Sequence, residues 1–523
     1  MSALSKFDTN QIMQIFFSII FFLLFLLLCL QNVNYLMKII NYQNSTYFYQ
    51  IFSLIIVLIT FFSGMQAFAY ITYWYLSSNR YLPYHQQYFS KNRTFPHVTI
   101  LIPTYNEPPA IVEKNVKTAK SIKYPSYNIV LVDDSDILNI CGDLKKISDI
   151  FNIDYLHRNN RIGYKAGAIN NAVKKLDIST KYIFILDIEH IPHENILQPL
   201  VNILESDDRL SFIQSPQFYP EKGSSFFGGA YAVQQHIFNK HICRALSITN
   251  SCFMCGTNVL IRREHLDVVG GFRENTSTED IATSFVMHKS GCFSFYHDQV
   301  LSTGSAPVSL HAYFIQQRRW CEGTIKQFKL SLKELLTGSS NLSVVQWLNY
   351  LFVNGTFYFL GWTTFLLILY PFLIFYFDIA PFEFDAINLS FIFFLVMLGL
   401  INFYGIVERN FSIKSLVLSQ SLWFVTIPVY MSGVLSGFFS ENNPFTVTPK
   451  QFVKKTEWSG LTFHTTLFVI TGFSLFFGIK KYGYGLFTTP YLNLTILIIY
   501  QMILISVGFL FFSGISWIDH NDF

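Results

Sequence analysis

A short acidic segment of this chain carries residue types suited to metal and phosphate chemistry. Asp187, Glu189 and His190 place two carboxylates and an imidazole within four positions. Carboxylate oxygens are ligands that Mg²⁺ and Mn²⁺ prefer, so the segment predicts a divalent cation that bridges a diphosphate. Side chains at alternate positions of a strand share a face, which would let Asp187 and Glu189 reach the same ion.

A second segment supplies a cation. Within residues 157–173, Gly163, Lys165 and Gly167 precede a helical pattern. Glycine permits close approach of the backbone to a ligand, and the lysine ammonium suits a phosphate. The alternative is a basic loop with an ordinary glycine turn. We expect Lys165 to lie close to a bound phosphate.

A third segment predicts a catalytic carboxylate. Thr278, Glu279 and Asp280 open a helical pattern that follows a glycine pair. Thr278 could be only an N-cap, with acidic residues that complement the helix dipole. The functional interpretation makes Asp280 a general base, because a carboxylate can take the proton of an attacking hydroxyl group.

Predicted strands position these polar segments. Apolar runs at 97–103, 127–136 and 182–190 each end in polar or acidic residues and alternate with helical patterns. This alternation favours an α/β domain with a mostly parallel sheet. Ligands of such sheets bind beyond the carboxyl ends of the strands. We therefore expect the three polar ends to converge on one site.

The composition indicates an integral membrane protein. Of 523 residues, 51% are hydrophobic, 18% are aromatic and only 13% are charged, which is too apolar for a soluble chain. Most charges fall between about residues 80 and 334, so a soluble domain is inserted between membrane regions. The net charge of +4 is small for this length and gives no indication of a nucleic-acid partner.

Six apolar runs are long enough to span a membrane. They are residues 15–30, 51–75, 349–377, 387–406, 462–479 and 492–515. The first run lacks a basic start and a small-residue cleavage site, which favours an anchor over a cleaved signal peptide. The predicted organisation is a membrane region, a cytoplasmic domain with interfacial helices, and a second membrane region, at 1–76, 77–345 and 346–523.

Segment 411–439 is apolar but interrupted by Ser, Gln, Pro and Gly. If the loop at 442–456 must meet the soluble domain, an even number of spans separates them, and this segment must lie in the interface or re-enter the membrane rather than span it. Lys414 and Lys450 agree with that orientation, whereas Lys480 and Lys481 do not.

Five motifs of this chain follow the order found in processive family-2 glycosyltransferases such as cellulose synthases. They are VDDSD at 132–136, DIEH at 187–190, TED at 278–280, QQRRW at 316–320 and FTVTPK at 445–450. The resemblance covers about residues 96–334 and implies an A-type glycosyltransferase fold. Glu189 departs from the family pattern, which has aspartate there, so its reach is longer by one methylene.

The resemblance also implies roles for individual residues. The nucleotide-sugar ligands would be Thr104, Tyr105, Glu107, Asp133, Asp134, Lys165, Gln316 and Arg319. The acceptor sugar would contact Trp320, Cys255, Gly256 and Glu279. The last motif resembles a gating loop that caps the donor, matched by Phe445, Val447, Thr448 and Lys450.

The resemblance implies a multi-pass enzyme of the cell membrane with its catalytic domain in the cytoplasm. It would extend a polysaccharide from UDP-glucose with Mg²⁺ or Mn²⁺, translocate the product across the bilayer, and leave room for an accessory export subunit. About 70 residues follow the gating motif, so the cyclic-dinucleotide-binding domain of many bacterial relatives is not expected. Two alternatives stay open: a non-processive transferase with a lipid acceptor, and a nucleotide-binding transporter.

The seven cysteines are scattered along the chain. The one CxxC pair, Cys252 and Cys255, lacks a second pair at zinc-site spacing, so we expect neither a disulfide framework nor a metal knuckle.

Overall fold

The computed structural model describes an α/β domain and apolar helices that follow it. The described residues are 30, 69, 72–78, 80–81, 86, 95–220, 226–338, 340–351, 357–377, 411–440, 447–449, 457–487 and 492–512. The predicted span at 387–406 lies outside these residues, and those at 15–30 and 51–75 lie mostly outside them.

Two sheets organise the described part of the soluble domain. Its strands are β1 (Val98–Thr104), β2 (Tyr127–Asp133), β3 (Asp154–His157), β4 (Tyr182–Ile185), β5 (His190–Pro192), β6 (Leu210–Gln214), β7 (Val259–Arg262), β8 (Phe293–Tyr296) and β9 (Ser302–Gly304). Seven strands form the main sheet in the order β3-β2-β1-β4-β7-β6-β8, and β5 pairs with β9.

The main sheet is mostly parallel, as the sequence predicted. Strand β1 pairs in parallel with β2 on one side and with β4 on the other, and β3 is parallel to β2. Strand β7 is antiparallel to both β4 and β6. Because β2 and β4 flank β1, the carboxyl ends of these three strands form the crevice in which α/β sheets bind ligands.

Helices cover the sheet and continue into the apolar part of the chain. They are α1 (Pro109–Ala119), α2 (Leu138–Ile150), α3 (Tyr164–Val173), α4 (Leu197–Leu204), α5 (Phe226–His236), α6 (Cys243–Ile248), α7 (Arg263–Val268), α8 (Glu279–Lys289), α9 (Leu310–Thr337), α10 (Val344–Leu348), α11 (Leu360–Phe377), α12 (Ile413–Phe439), α13 (Trp458–Tyr482) and α14 (Leu492–Gly508). A π-helical segment, Ile237–Ile242, joins α5 to α6.

Both faces of the sheet are buried. Val112 of α1 and Leu200 of α4 belong to the apolar core on one face, which includes Ile100 of β1. Ala168 of α3 packs in the core of the other face with Leu101 of β1. This two-sided burial explains why the strands are continuous apolar runs rather than alternating ones.

The described residues contain four helices long and apolar enough to cross a membrane: Phe357–Tyr376, Ile413–Phe439, Trp458–Leu486 and Leu494–Phe511. Three of them correspond to predicted spans. The other, α12, is one continuous helix with Pro428 inside it, rather than an interrupted segment. The count of six spans is therefore not confirmed, and the interfacial placement of α12 stays a prediction.

Small residues in α12 are packing positions. A Cβ added at Gly433 would lie 2.7 Å from Cys321 Sγ, and one at Gly437 would lie 2.7 Å from Ile325 Cβ. The glycines thus let α12 approach α9 closely. The Tyr430 hydroxyl adds a hydrogen bond to Gln317 Oε1 at 2.8 Å. Helix α12 therefore packs closely against α9, which carries the QQRRW motif.

Candidate active site

The Lys165 ammonium lies where α3, the end of β4 and the loop before β7 meet. Its Nζ donates to Asp187 Oδ1 at 2.5 Å and to the Gly256 carbonyl at 2.9 Å. Burial opposes the charge of this ammonium, but Asp187, Glu279 and Glu189 outweigh burial and raise the pKa of Lys165. The site therefore holds a fixed positive charge at the carboxyl end of the sheet.

The lysine brings together motifs that are distant in sequence. Asp187 and Glu189 follow β4, and Glu279 begins α8, yet the negative charges of all three raise the pKa of Lys165. Lys165 lies in the first turn of α3 rather than before the helix, and Gly163 is the N-cap residue. Segments that are distant in sequence, after β4, in α3 and at the start of α8, thus lie close together in the fold.

Asp280 flanks the same point. A Cβ added at Gly256 would lie 3.2 Å from Asp280 Oδ2 and 3.6 Å from Lys165 Nζ. Gly256 has a φ of +82°, a left-handed conformation that glycine adopts without strain. Any side chain at this position would occupy the space beside the carboxylate and the ammonium. The glycine therefore keeps a side chain out of the space beside both groups.

The environment of Asp280 suits a general base. Burial, followed by repulsion from Glu279, raises the pKa of Asp280 to about 7, although the Ile281 N–H and the Lys165 ammonium favour the charged form. The Ile281 N–H donates to Asp280 Oδ1 at 2.8 Å and orients the carboxylate. A base whose pKa lies near neutral pH takes a proton most effectively under ordinary conditions.

This pKa predicts a pH profile. The carboxylate must be ionised to accept a proton, so kcat/KM should rise about tenfold per pH unit below neutrality and level off above it. Glu279→Gln removes the neighbouring negative charge, so the rise should move to lower pH. Initial rates across a pH series, for wild type and Glu279→Gln, test this. A profile that the substitution leaves in place would contradict the role given to Asp280.

The acidic segment after β4 is a turn and not a strand end. Strand β4 ends at Ile185, and the His190 N–H donates to the Asp187 carbonyl at 3.0 Å. The expectation that strand alternation places Asp187 and Glu189 on one face is therefore wrong. The negative charges of both carboxylates nonetheless raise the pKa of Lys165.

Asn115 holds this turn from behind. Its Nδ2 donates to the carbonyls of Asp187, Ile188 and His190, at 3.4, 3.1 and 2.7 Å. Asn115 is fully buried in α1. Three carbonyl groups converge on one amide, so the position of the acidic turn depends on a residue far upstream. The sequence signal was a polar residue on the apolar face of α1, which we did not single out.

The predicted metal ligands divide by environment. Asp187 and Glu189 are partly exposed, and their carboxylate oxygens fit Mg²⁺ or Mn²⁺. His190 is 2% exposed, and its Nδ1 lies 3.3 Å from Asn258 Nδ2. Among the described residues, one set of three metal-ligating side chains has its ligand atoms within 4.8 Å of one another, and that set includes none of Asp187, Glu189 and His190. The two carboxylates therefore fit a cation better than the imidazole does.

That set consists of Asp133, Cys141 and His157. Hydrogen bonding accounts for it without an ion. The fully buried Asp133 carboxylate is within hydrogen-bond distance of five groups: Thr104 Oγ1, Ser135 N–H, Ser135 Oγ, the Tyr155 hydroxyl and His157 Nδ1. Asp133 thus ties the ends of β1, β2 and β3 together. A direct contact of Asp133 with a nucleotide stays a prediction.

The Asp134 carboxylate also has its hydrogen-bond partners within the protein. Arg158 donates to it through Nε at 2.5 Å and Nη2 at 2.6 Å, a bidentate pair. The same guanidinium donates to the carbonyls of Ile162 and Tyr164, which fixes the loop that leads into α3. Arg158 therefore links the end of β2 to the position of Lys165. Sequence reasoning missed this arginine, although it follows β3 directly.

The end of β1 supplies the remaining predicted nucleotide ligands. The Tyr105 hydroxyl donates to Asp136 Oδ2 at 3.1 Å, and the Arg161 guanidinium lies over the Tyr105 ring. Thr104 and Glu107 are buried beside it, 5% and 7% exposed. Their roles toward a nucleotide stay predictions.

Helix α9 carries the QQRRW motif beside the site. The Tyr231 hydroxyl donates to Gln316 Oε1 at 3.2 Å, and Ser277 Oγ donates to the Arg319 carbonyl at 3.3 Å. Ser277 directly precedes the TED motif, so this contact joins the two motifs. Trp320 is partly buried against an aromatic cluster of the helices that follow.

Two glutamines fix the loop of the predicted acceptor residues. The Cys255 N–H donates to Gln214 Oε1 at 2.8 Å, and the Cys255 carbonyl accepts from Gln217 Nε2 at 2.7 Å. Both glutamines come from the end of β6 and the segment after it. Their hydrogen bonds to Cys255 fix the position of the neighbouring Gly256 relative to the sheet. Sequence reasoning missed both glutamines.

The predicted gating loop is only partly described. Val447 and Thr448 lie in the short described stretch 447–449, where Thr448 is 9% exposed. Phe445 and Lys450 lie outside the described residues. The capping role of this loop stays a prediction.

Comparison with known proteins identifies the class. Residues 96–323 match the family described as glycosyltransferase like family 2, and residues 269–475 match the cellulose synthase family. The two matches together run from residue 96 to residue 475, so this part of the chain is similar to both families. The resemblance inferred from the motifs is confirmed. The two matches overlap over α8 and the first half of α9, the helices that carry TED and QQRRW.

Curated relatives agree with this assignment. The UDP-forming cellulose synthase catalytic subunit of Xanthomonas axonopodis pv. citri is 30% identical over 240 residues, which cover 44% of this chain and 32% of that protein. The cellulose synthase 1 catalytic subunit of Komagataeibacter xylinus is 29% identical over 271 residues, 51% of this chain and 35% of that protein. The match spans about a third of the length of these relatives.

Among solved structures, a mannosyltransferase from Pyrobaculum calidifontis, in complex with GDP-mannose and Mn²⁺, has a TM-score of 0.44 and 13% sequence identity to this chain. That similarity covers 73% of this chain and 100% of the mannosyltransferase.

Proposed function

We propose that this chain is a membrane-embedded, inverting, processive β-glycosyltransferase. It polymerises a cellulose-like polysaccharide from UDP-glucose at the cytoplasmic face and passes the product through its own helices. The convergence of Lys165, Asp187 and Asp280 around Gly256 carries the proposal. It sets a cation suited to a diphosphate beside a carboxylate suited to accept a proton.

On the donor side, Asp187 and Glu189 would hold Mg²⁺ or Mn²⁺, and the cation would neutralise negative charge on the diphosphate. The Lys165 ammonium adds a fixed positive charge to the same side. Gln316 and Arg319 of α9 are assigned to the diphosphate, since an arginine binds phosphate oxygens through two N–H groups. These groups lower the barrier by stabilising negative charge as it develops.

On the acceptor side, the terminal sugar packs against Trp320 and the loop at Cys255, because an indole offers an apolar face to a pyranose ring. The acceptor hydroxyl oxygen attacks the anomeric carbon and loses its proton to Asp280. The bond from that carbon to the diphosphate breaks on the opposite face, so the configuration inverts and UDP departs. The product hydroxyl then becomes the next acceptor.

A transfer assay with purified protein tests the proposal. The protein is incubated with labelled UDP-glucose, UDP-N-acetylglucosamine and GDP-mannose, and the product is digested with linkage-specific hydrolases. We expect a polymer from UDP-glucose that a β-1,4-glucanase degrades. If the product is instead a single sugar on a lipid, the protein is a non-processive transferase with a lipid acceptor and not a polymerase. Nucleotide binding without any transfer would favour the transporter. The names of the UDP-forming relatives support the donor class.

The proposed topology predicts which positions face the outside. Single cysteines are introduced into a background without the seven native ones and probed in intact cells with an impermeant thiol reagent. Positions Asn44 and Asp385 should react, whereas Lys91, Lys450 and Phe523 should be protected. Reaction at Lys450 from outside would mean that α12 crosses the membrane, and the gating loop could then not cap a cytoplasmic donor.

A further inference from the structure

One guanidinium at the end of the sheet, that of Arg161, lies against two aromatic rings. The Arg161 Cζ lies 3.4 Å from the centroid of the Tyr105 ring and 5.3 Å from that of the Tyr164 ring. Within the described part of the chain, no side-chain hydrogen bond or ion pair of Arg161 occurs, and its Nε is buried without an acceptor. Arg158, at the same edge, is instead paired with the Asp134 carboxylate.

The sheet order puts this arginine on a defined side of the crevice. Tyr105 follows β1 and Asp136 follows β2, whereas the Lys165–Asp187 pair lies at the end of β4, on the other side of β1. Neighbouring strands are about 4.8 Å apart, so β2 and β4 are separated by about 10 Å. A nucleotide with its diphosphate at Lys165 can reach that far with its base.

We infer that Arg161 is a nucleobase-binding residue that reads pyrimidine carbonyl oxygens. This inference rests on the proposed function and goes beyond it, since Arg161 belongs to none of the five sequence motifs. Because the guanidinium covers the Tyr105 ring, a base stacks on the outer face of Arg161 rather than on tyrosine itself. A planar guanidinium stacks on π-faces and presents N–H donors at its edge.

The neighbouring groups complement uracil in particular. Uracil has two carbonyl acceptors that flank one N–H donor, and adenine has no carbonyl. Arg161 supplies donors, and the exposed Asp136 carboxylate, which accepts from Asn106 Nδ2 at 2.6 Å and from the Tyr105 hydroxyl at 3.1 Å, supplies an acceptor. Together they favour a uridine nucleotide over an adenosine nucleotide.

Calorimetric titration of the purified full chain with UDP and with ADP tests the inference. Arg161→Ala should weaken UDP binding about 10- to 100-fold, the range seen when a base loses its stacking partner. The preference for UDP over ADP should shrink, and KM for the sugar donor should rise while kcat at saturation is kept. Arg161→Lys retains the charge but not the planar face, so it should lose most of the affinity as well.

Arg209 offers a matched control. Its guanidinium also stacks on an aromatic ring, 4.7 Å from the Phe293 centroid, but it pairs with Asp207 beside β8, the edge strand of the sheet. Arg209→Ala should leave both affinities unchanged. Wild-type protein that binds no nucleotide would overturn the proposed function itself. UDP binding that is equal in wild type, Arg161→Ala and Arg161→Lys would overturn this inference alone, as would equal losses of UDP and ADP affinity.

Discussion

Asp280→Asn should abolish most sugar transfer while it leaves donor binding intact. The amide keeps the shape of the carboxyl group but cannot take a proton at neutral pH, so turnover should fall by about 10²- to 10⁴-fold, the usual contribution of a positioned base. Affinity for UDP should be retained, because the diphosphate is assigned to Lys165, which bonds to Asp187 and not to Asp280. Steady-state rates and UDP titration on the same preparation measure the two quantities.

Asp280→Asn should also alter how the stability of the folded protein depends on pH. Burial and Glu279 raise the pKa of Asp280 to about 7, above the value expected for an unfolded chain. The protonated carboxyl therefore favours the folded state, and that contribution is lost as pH rises through about 7. An asparagine carries no charge at any pH, so the thermal midpoint of Asp280→Asn should not fall below that of wild type at pH 8.

A control separates the base from a general loss of charge. Asp267 lies at the end of α7, is 55% exposed and pairs with Arg263 only at 3.6 Å. Asp267→Asn should preserve turnover. If Asp280→Asn instead weakened UDP binding as much as it slowed turnover, TED would be a structural helix start and another group would have to accept the proton.

The positions of the strands and of their polar ends could be predicted from the sequence. Strands β1, β2 and β4 are mostly apolar because both faces are covered, and polar residues stand at or just after their carboxyl ends: Thr104, Asp133 and Asp187. The parallel arrangement then brings the strand ends together. Lys165 and Asp187 were predicted from separate motifs, and they are in contact.

Contacts between distant segments were not predictable in this way. The turn at Asp187 is shaped by Asn115, and the loop at Cys255 is held by Gln214 and Gln217. Local patterns report which face of an element is buried but not which partner fills it. Asp133 shows the same limit, because its acidic character suggested a ligand site whereas its neighbours already supply five hydrogen-bond contacts.

Removal of the divalent cation should have a comparably large effect. Chelator should abolish transfer, and added Mg²⁺ or Mn²⁺ should restore it. Asp187→Ala with Glu189→Ala should lower turnover by about 10³-fold or more, since a cation that stabilises a leaving diphosphate contributes several kcal/mol. The double variant should also lose the cation dependence of UDP binding, because Lys165 remains as the main positive charge for the diphosphate.

A matched pair of carboxylates tests whether position rather than charge matters. Asp143 and Asp149 lie on α2, are 48% and 62% exposed and pair with Lys146 and Lys145. Asp143→Ala with Asp149→Ala removes the same net charge and should leave transfer and cation dependence unchanged. Full activity of the Asp187 and Glu189 double variant would exclude these residues as the cation site. Lys165 would then have to neutralise the diphosphate without the two carboxylates assigned to hold a metal beside it.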